Sequence, residues 1–340
     1  MAVIQGWAAH GPRQRLEPFA YDPGPLGVEE VEIAVEYCGL CHSDLSIISN
    51  DWGFTRYPAV PGHEVVGTVV AAGAAVKGVK VGQRVGVGWN VGCCMHCREC
   101  LSGSHHLCLQ VVPTIVGHYG GFAERLRSHW MWAIPLPEKL EPASAGPLLC
   151  GGITVFAPLV TYGIKPTDRA GIVGIGGLGH MALQFLDAWG CEVTAFTSSV
   201  SKSEELLKLG ADHIVSSRDS FEIGNAANSL DFLLVTVNIP LDWTALLRTL
   251  SANGRMHVVG AVLEPMPIPA FELILGQKSV SGSPTGAPAT ISQMLDFAAR
   301  HNIVPQVEHF PLSKVNDAIA HLAAGKARYR VVLDGDFARG

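Results

Sequence analysis

Apolar and polar side chains alternate in short runs through the first part of the chain. From Val31 to Tyr37 the apolar positions recur every second residue, the pattern of a strand with one face buried. Runs over 65–70 and 84–87, set between glycine turns, predict further strands. The rhythm changes beyond residue 151. An apolar run over 171–173 leads into glycines and then a helical stretch over 180–188, followed by a strand over 191–196. Ser201-Lys202-Ser203-Glu204 reads as a capping box opening a helix to Leu209. Strands over 214–215, 232–235 and 256–259 follow, with helical text between them. Strand alternating with helix predicts a parallel, doubly wound sheet. From about residue 286 the pattern gives helices over 291–301 and 313–323 and a last strand over 329–333. This part is expected to return to the first sheet. The expected domains are therefore residues 1–151 with 286–340, rich in strands and barrel-like, and residues 152–285, of α/β type.

Composition agrees with two folded domains. The chain has 340 residues, too many for one ordinary core. Hydrophobic residues make up 48% and charged residues 16%, enough apolar surface to offset the ordering entropy. The net charge is −6 with no basic run, which argues against nucleic acid as a partner. Residues 142–164 carry no charge, but Pro147, Pro158 and four glycines interrupt them. They read as buried interior, so no membrane span is expected. The opening residues MAVIQGWAAHGPRQRL contain no apolar core of a secretory leader, and the cytoplasm is the expected compartment. With nine cysteines and no leader, metal ligation is a better reading than disulfides.

Cys94-x2-Cys97-x2-Cys100-x7-Cys108 is the sharpest local signal. Four thiolates on a tight loop surround one zinc ion tetrahedrally, a closed and therefore structural site. His105 and His106 fall inside the loop and are expected to be solvated. Cys41, the pair His63-Glu64 and Cys150 are scattered and unconvincing singly. Together they offer sulfur, nitrogen and sulfur, with a carboxylate in reserve. Three protein ligands and one open position are what a catalytic zinc needs. Gly174-Ile-Gly176-Gly177-Leu178-Gly179 lies between a strand and a helix, the setting of a dinucleotide-binding turn.

These motifs occur in an order that resembles the zinc-containing medium-chain alcohol dehydrogenases. The resemblance spans nearly the whole chain. CHSDL, GIGGLGH and RYRVVLD are similar to the cinnamyl-alcohol-dehydrogenase branch. Asp51-Trp52-Gly53, GGITVF, VTAFTSS and GKARYRVVL resemble its bacterial broad-range aldehyde reductases most. The resemblance implies a GroES-like catalytic domain and a Rossmann domain with the active site in the cleft between them. It implies two zinc ions per chain and a hydride exchanged between NADP(H) and an aldehyde or alcohol. Cys41, His63 and Cys150 would hold the catalytic zinc, with Glu64 near it, Asp44 fixing the His63 tautomer and Ser43 passing a proton. Thr154 would contact the nicotinamide and Arg330 the pyrophosphate. Trp52 and Trp89 would line an apolar substrate channel, and a homodimer would pair through the cofactor domain. Cofactor choice also has a reading from the residues. The strand over 191–196 ends in Thr197-Ser198-Ser199 with no acid at its tip, and Lys202 follows. A carboxylate there would accept from a ribose 2′-hydroxyl, whereas hydroxyls and an ammonium suit a 2′-phosphate. Two rivals, a zinc-free quinone reductase of the same fold and a non-catalytic relative, would each be expected to lack open-site ligands that this chain retains.

Overall fold

The computed structural model describes residues 3–337. The chain divides into two compact units, one comprising the residues up to Ile153 with those from Thr285 onward, the other Thr154–Pro284.

The first unit is built on a seven-stranded sheet. Its order is Val307–Pro311, Arg330–Asp334, Glu30–Leu40, Val65–Ala72, Arg84–Val87 and Ile134–Pro135, with Arg125–His129 also pairing with Glu30–Leu40. The inward side chains Ile33, Val65, Val69, Val85, Leu126, Val331 and Leu333 are all buried and form the core. The alternation seen in the sequence is thus the two faces of this sheet. At the end of Glu30–Leu40 it gives way to three consecutive buried residues, Cys38 to Leu40, so the strand runs into the interior and delivers Cys41 there. The last strand, Arg330–Asp334, lies antiparallel against Glu30–Leu40, with Leu40 opposite Val331.

The second unit holds a six-stranded sheet, parallel at every pairing. Its order is His213–Ser216, Glu192–Thr197, Arg169–Val173, Leu230–Val235, Leu250–Val258 and Ser279–Gly282. Central strands buried on both faces read as continuous apolar text, and Phe232 to Val235 are fully buried. Strand order reverses beside Arg169–Val173, where the glycine turn leaves the sheet.

One local expectation fails. Ser201 does not open a capping box. Val200–Lys202 is a 3-10 turn, and the helix Ser203–Lys208 starts after Lys202 with no side-chain cap. A capping box occurs instead at Cys41, the N-cap of helix His42–Ser49, with Asp44 reaching back. Among the described residues no single helix is long and apolar enough to cross a membrane. The uncharged stretch forms two helices bent by 53°, Pro142–Leu149 and Gly151–Thr161.

Candidate active site and metal centres

Cys41, His63, Glu64 and Cys150 each bring a ligand atom within 4.8 Å of the others. Cys41 arrives from the end of the long strand, His63 and Glu64 from the segment before Val65–Ala72, and Cys150 from the turn joining the two bent helices. Glycine makes room for this convergence. A Cβ at Gly39 would strike the Glu64 side chain, and one at Gly146 would stand 2.6 Å from the Glu64 carbonyl.

Asp44 organises the cluster. It is fully buried, and its Oδ2 accepts the Cys41 N–H at 2.9 Å. Its Oδ1 accepts the Gly62 N–H at 2.8 Å and pairs with His63 Nδ1 at 3.0 Å. A carboxylate only accepts, so the proton sits on Nδ1 and the Nε2 lone pair faces inward. Nε2 lies 3.2 Å from Cys150 Sγ. The Cys150 thiol, against the effect of burial and with help from Arg330 and His63, holds the Cys41 thiol well below its usual range. Two sulfurs, one imidazole lone pair and a nearby carboxylate suit zinc. Burial raises the Glu64 carboxyl above its ordinary range, against the pull of Arg330. Arg330 is buried and ion-paired with Glu64, while Glu64 Oε2 and Arg330 Nε have no hydrogen-bond partner. The Ser43 hydroxyl is half-buried, 3.7 Å from Cys41 Sγ.

An aromatic row leads away from His63. Trp89 sits edge-on to the imidazole with centroids 4.9 Å apart, and Trp52 follows at 6.0 Å from Trp89. Phe54, half exposed, continues the row 5.7 Å from Trp52. The sequence reading had the two tryptophans but missed Phe54, whose signal was its spacing two residues beyond Trp52.

Cys94, Cys97, Cys100 and Cys108 also lie within 4.8 Å of one another. The His96 and Cys97 backbone, acting against burial, holds the Cys94 thiol down to about 6. Cys93 stands aside, its sulfur 3.4 Å from Met95 Sδ. His105 and His106 are half-buried rather than solvated, and burial lowers the His106 pKa.

In the second unit, the Gly174 N–H donates to the Phe196 carbonyl at 3.0 Å, tying the turn to the end of the neighbouring strand. Gly174 has φ +90°, which favours glycine. Gly176 has open space where a Cβ would stand, and a Cβ at Gly179 would strike the Gly174 carbonyl. A tight turn, an uncovered backbone and a close helix approach are the requirements for cradling a pyrophosphate, so these residues fit a dinucleotide. Gly177 and Leu178 complete the turn into helix Gly179–Trp189. Ser198 is exposed and Ser199 half-buried just past the strand tip, and Lys202 lies on the following 3-10 turn. The Thr154 hydroxyl donates to the Pro284 carbonyl at 3.3 Å.

A β-rich unit with two cysteine-bearing ligand clusters and a parallel sheet with a glycine turn define a zinc-containing nicotinamide oxidoreductase. Residues 27–138 match the alcohol dehydrogenase GroES-like domain, and residues 177–300 match the zinc-binding dehydrogenase model. Over 331 residues the chain is 56% identical to the aldehyde reductase AdhA of Synechocystis, covering 97% of this chain and 98% of that one. It is 41% identical to the 8-hydroxygeraniol dehydrogenase of Catharanthus roseus, covering 97% and 94%. Among solved structures, a cinnamyl alcohol dehydrogenase of Sorghum bicolor superposes with a TM-score of 0.94 at 39% identity, covering 98% of both chains. That of Helicobacter pylori, complexed with NADP(H), gives 0.89 at 29%, again covering 98% of both. The chain belongs to the zinc-binding alcohol dehydrogenase family and is an enzyme of alcohol–aldehyde oxidoreduction.

Proposed function

We propose that the chain reduces apolar and aromatic aldehydes to primary alcohols with NADPH, and runs the reverse reaction with NADP. The observation that carries this reading is the set of buried Cys41 and His63 with half-buried Cys150, its imidazole turned inward by Asp44. The Synechocystis relative named as an aldehyde reductase supports the direction. When bound, zinc polarises a carbonyl oxygen as a Lewis acid and the reduced nicotinamide supplies the hydride. The chain's own residues do the rest. Cys41, His63 and Cys150 hold the metal, and Glu64 waits beside it, restrained by Arg330. Ser43, at the partly exposed rim, moves the proton between solvent and the substrate oxygen. Trp89, Trp52 and Phe54 present apolar faces to the substrate, which favours long or aromatic aldehydes by about 0.8 kcal/mol per buried CH2.

Cys94, Cys97, Cys100 and Cys108 hold a second, structural zinc. Gly174 to Gly179 cradle the cofactor, with Thr154 toward the nicotinamide. The free donor of Arg330 suits the pyrophosphate. Ser198, Ser199 and Lys202 select the 2′-phosphate. The edge strand Ser279–Gly282 and the exposed Phe271, Ile274 and Leu275 beside it support a homodimer paired through the cofactor unit. Nine cysteines, six of them placed as metal ligands and none in a disulfide, support a reducing compartment, the cytoplasm. The test is NADPH oxidation that begins only when an aldehyde is added and disappears in Cys41→Ala. Equal catalytic efficiency for acetaldehyde and a long-chain aldehyde would refute the apolar pocket.

A further inference from the structure

Carboxyl ends of adjacent parallel strands lie side by side, and ligands of doubly wound sheets bind just outside them. In this chain Thr197 and Ser216 are in register at the ends of Glu192–Thr197 and His213–Ser216. The Ser217 N–H extends the pairing by donating to the Thr197 carbonyl at 2.9 Å. Ser217 therefore continues the pairing past Thr197, and Arg218 follows in the turn that leaves the same end of the sheet as Ser198 and Ser199. Arg218 is exposed, and its guanidinium forms no ion pair among the described residues. The two carboxylates that follow it in sequence are engaged by backbone. Asp219 caps helix Ser220–Asn225 by accepting the Phe221 and Glu222 N–H groups. Glu222 accepts the Ser216 N–H at 2.6 Å. The Arg218 N–H donates to Ser216 Oγ at 3.4 Å, a contact within the turn.

We propose that Arg218 is a further specificity-determining residue, holding the cofactor's 2′-phosphate from the strand next to Ser198 and Ser199. This rests on the NADPH reading above. A guanidinium is planar, always charged and matched to two phosphate oxygens at once. A 2′-hydroxyl offers it no such partner, so Arg218 adds to the affinity for NADPH and little to that for NADH.

Calorimetry on the zinc-loaded protein, without turnover, tests this with adenosine 2′,5′-bisphosphate and adenosine 5′-monophosphate as probes. Wild type should bind the bisphosphate more tightly. Arg218→Ala should lose about tenfold on the bisphosphate, the range of a charge-assisted contact, and nothing on the monophosphate. Arg218→Lys should fall between. Wild type that binds both probes equally overturns the NADPH reading and this proposal with it. Wild type that discriminates, with Arg218→Ala discriminating as well, overturns the role of Arg218 alone. An equal loss on both probes also overturns it, since the arginine would then serve the adenine or the loop.

Discussion

Asp44 carries three hydrogen bonds with one carboxylate, to the Cys41 N–H, the Gly62 N–H and His63. Its removal frees the imidazole to turn and leaves two buried N–H groups unpaired. Asp44→Ala is expected to weaken metal binding at this cluster by about 10- to 100-fold, read by metal analysis after dialysis against a chelator. The knuckle zinc should stay, and an unchanged total would contradict the assignment. The sequence reading gave Asp44 a partner but not the two backbone contacts, which depend on Gly62 folding over it. Arg330 entered the sequence reading only through the resemblance, as a pyrophosphate contact. Its pairing with Glu64 was not legible, because 266 positions separate them and no local pattern couples them. His257 was invisible as well. It is fully buried, with Nδ1 2.9 Å from Ser281 Oγ and Nε2 2.9 Å from Ser283 Oγ. Burial, aided by Arg255, depresses its pKa to about 4. The unfolded chain binds this proton first, so stability is fully present above about pH 6.5. It falls as the pH drops toward 4, by about 3 kcal/mol at most. Urea midpoints at several pH values should show that decline in wild type and a shallower one in His257→Asn.

At the scale of elements, the knuckle was readable because its ligands sit within a few residues of one another. Proximity in sequence dictated proximity in space. The open cluster draws on positions 41, 63 and 150, and only the order of several motifs suggested it. The two clusters should separate by mutation. Cys100→Ala is expected to lose one zinc and lower the melting temperature, because structural metal binding is coupled to folding. Cys41→Ala should also retain one zinc but melt near wild type and be inactive. A single zinc in wild type would refute the two-site assignment. The capping box expected at Ser201 failed because the chain first makes a 3-10 turn, placing Ser203 at the helix start. The absence of an acid beyond Thr197 carries a prediction that the shift leaves intact. Wild type should prefer NADPH over NADH by at least about tenfold, the worth of one charge-assisted contact. Lys202→Ala should lose much of that preference without a matching loss with NADH, both read from steady-state kinetics.

For the whole molecule, strand alternation followed by strand–helix alternation announced two kinds of sheet, and both are present. Neither pattern names which strands are neighbours; that depends on pairings such as Arg330–Asp334 with Glu30–Leu40. Among the described residues Ser279–Gly282 pairs on one side only, and an unpaired edge flanked by apolar side chains invites a second copy. Light scattering should give twice 36.1 kDa. Leu275→Glu, at a position 79% exposed, should shift the mass toward the monomer. A monomeric wild type would refute the pairing.

The pairing of Arg330–Asp334 with Glu30–Leu40 has a consequence for the order of events at the ribosome. The cofactor sheet is one uninterrupted stretch and can close while synthesis continues. The metal-bearing sheet cannot, because one of its interior strands, Arg330–Asp334, is made only after the whole cofactor unit. Until then Glu64 lacks its arginine, and the long strand has an open side beside Leu40. A nascent chain stalled before residue 329 should therefore protect its glycine turn from protease while leaving the segment around Cys41 cleavable. Completion of the catalytic metal cluster would then follow closure of the cofactor sheet.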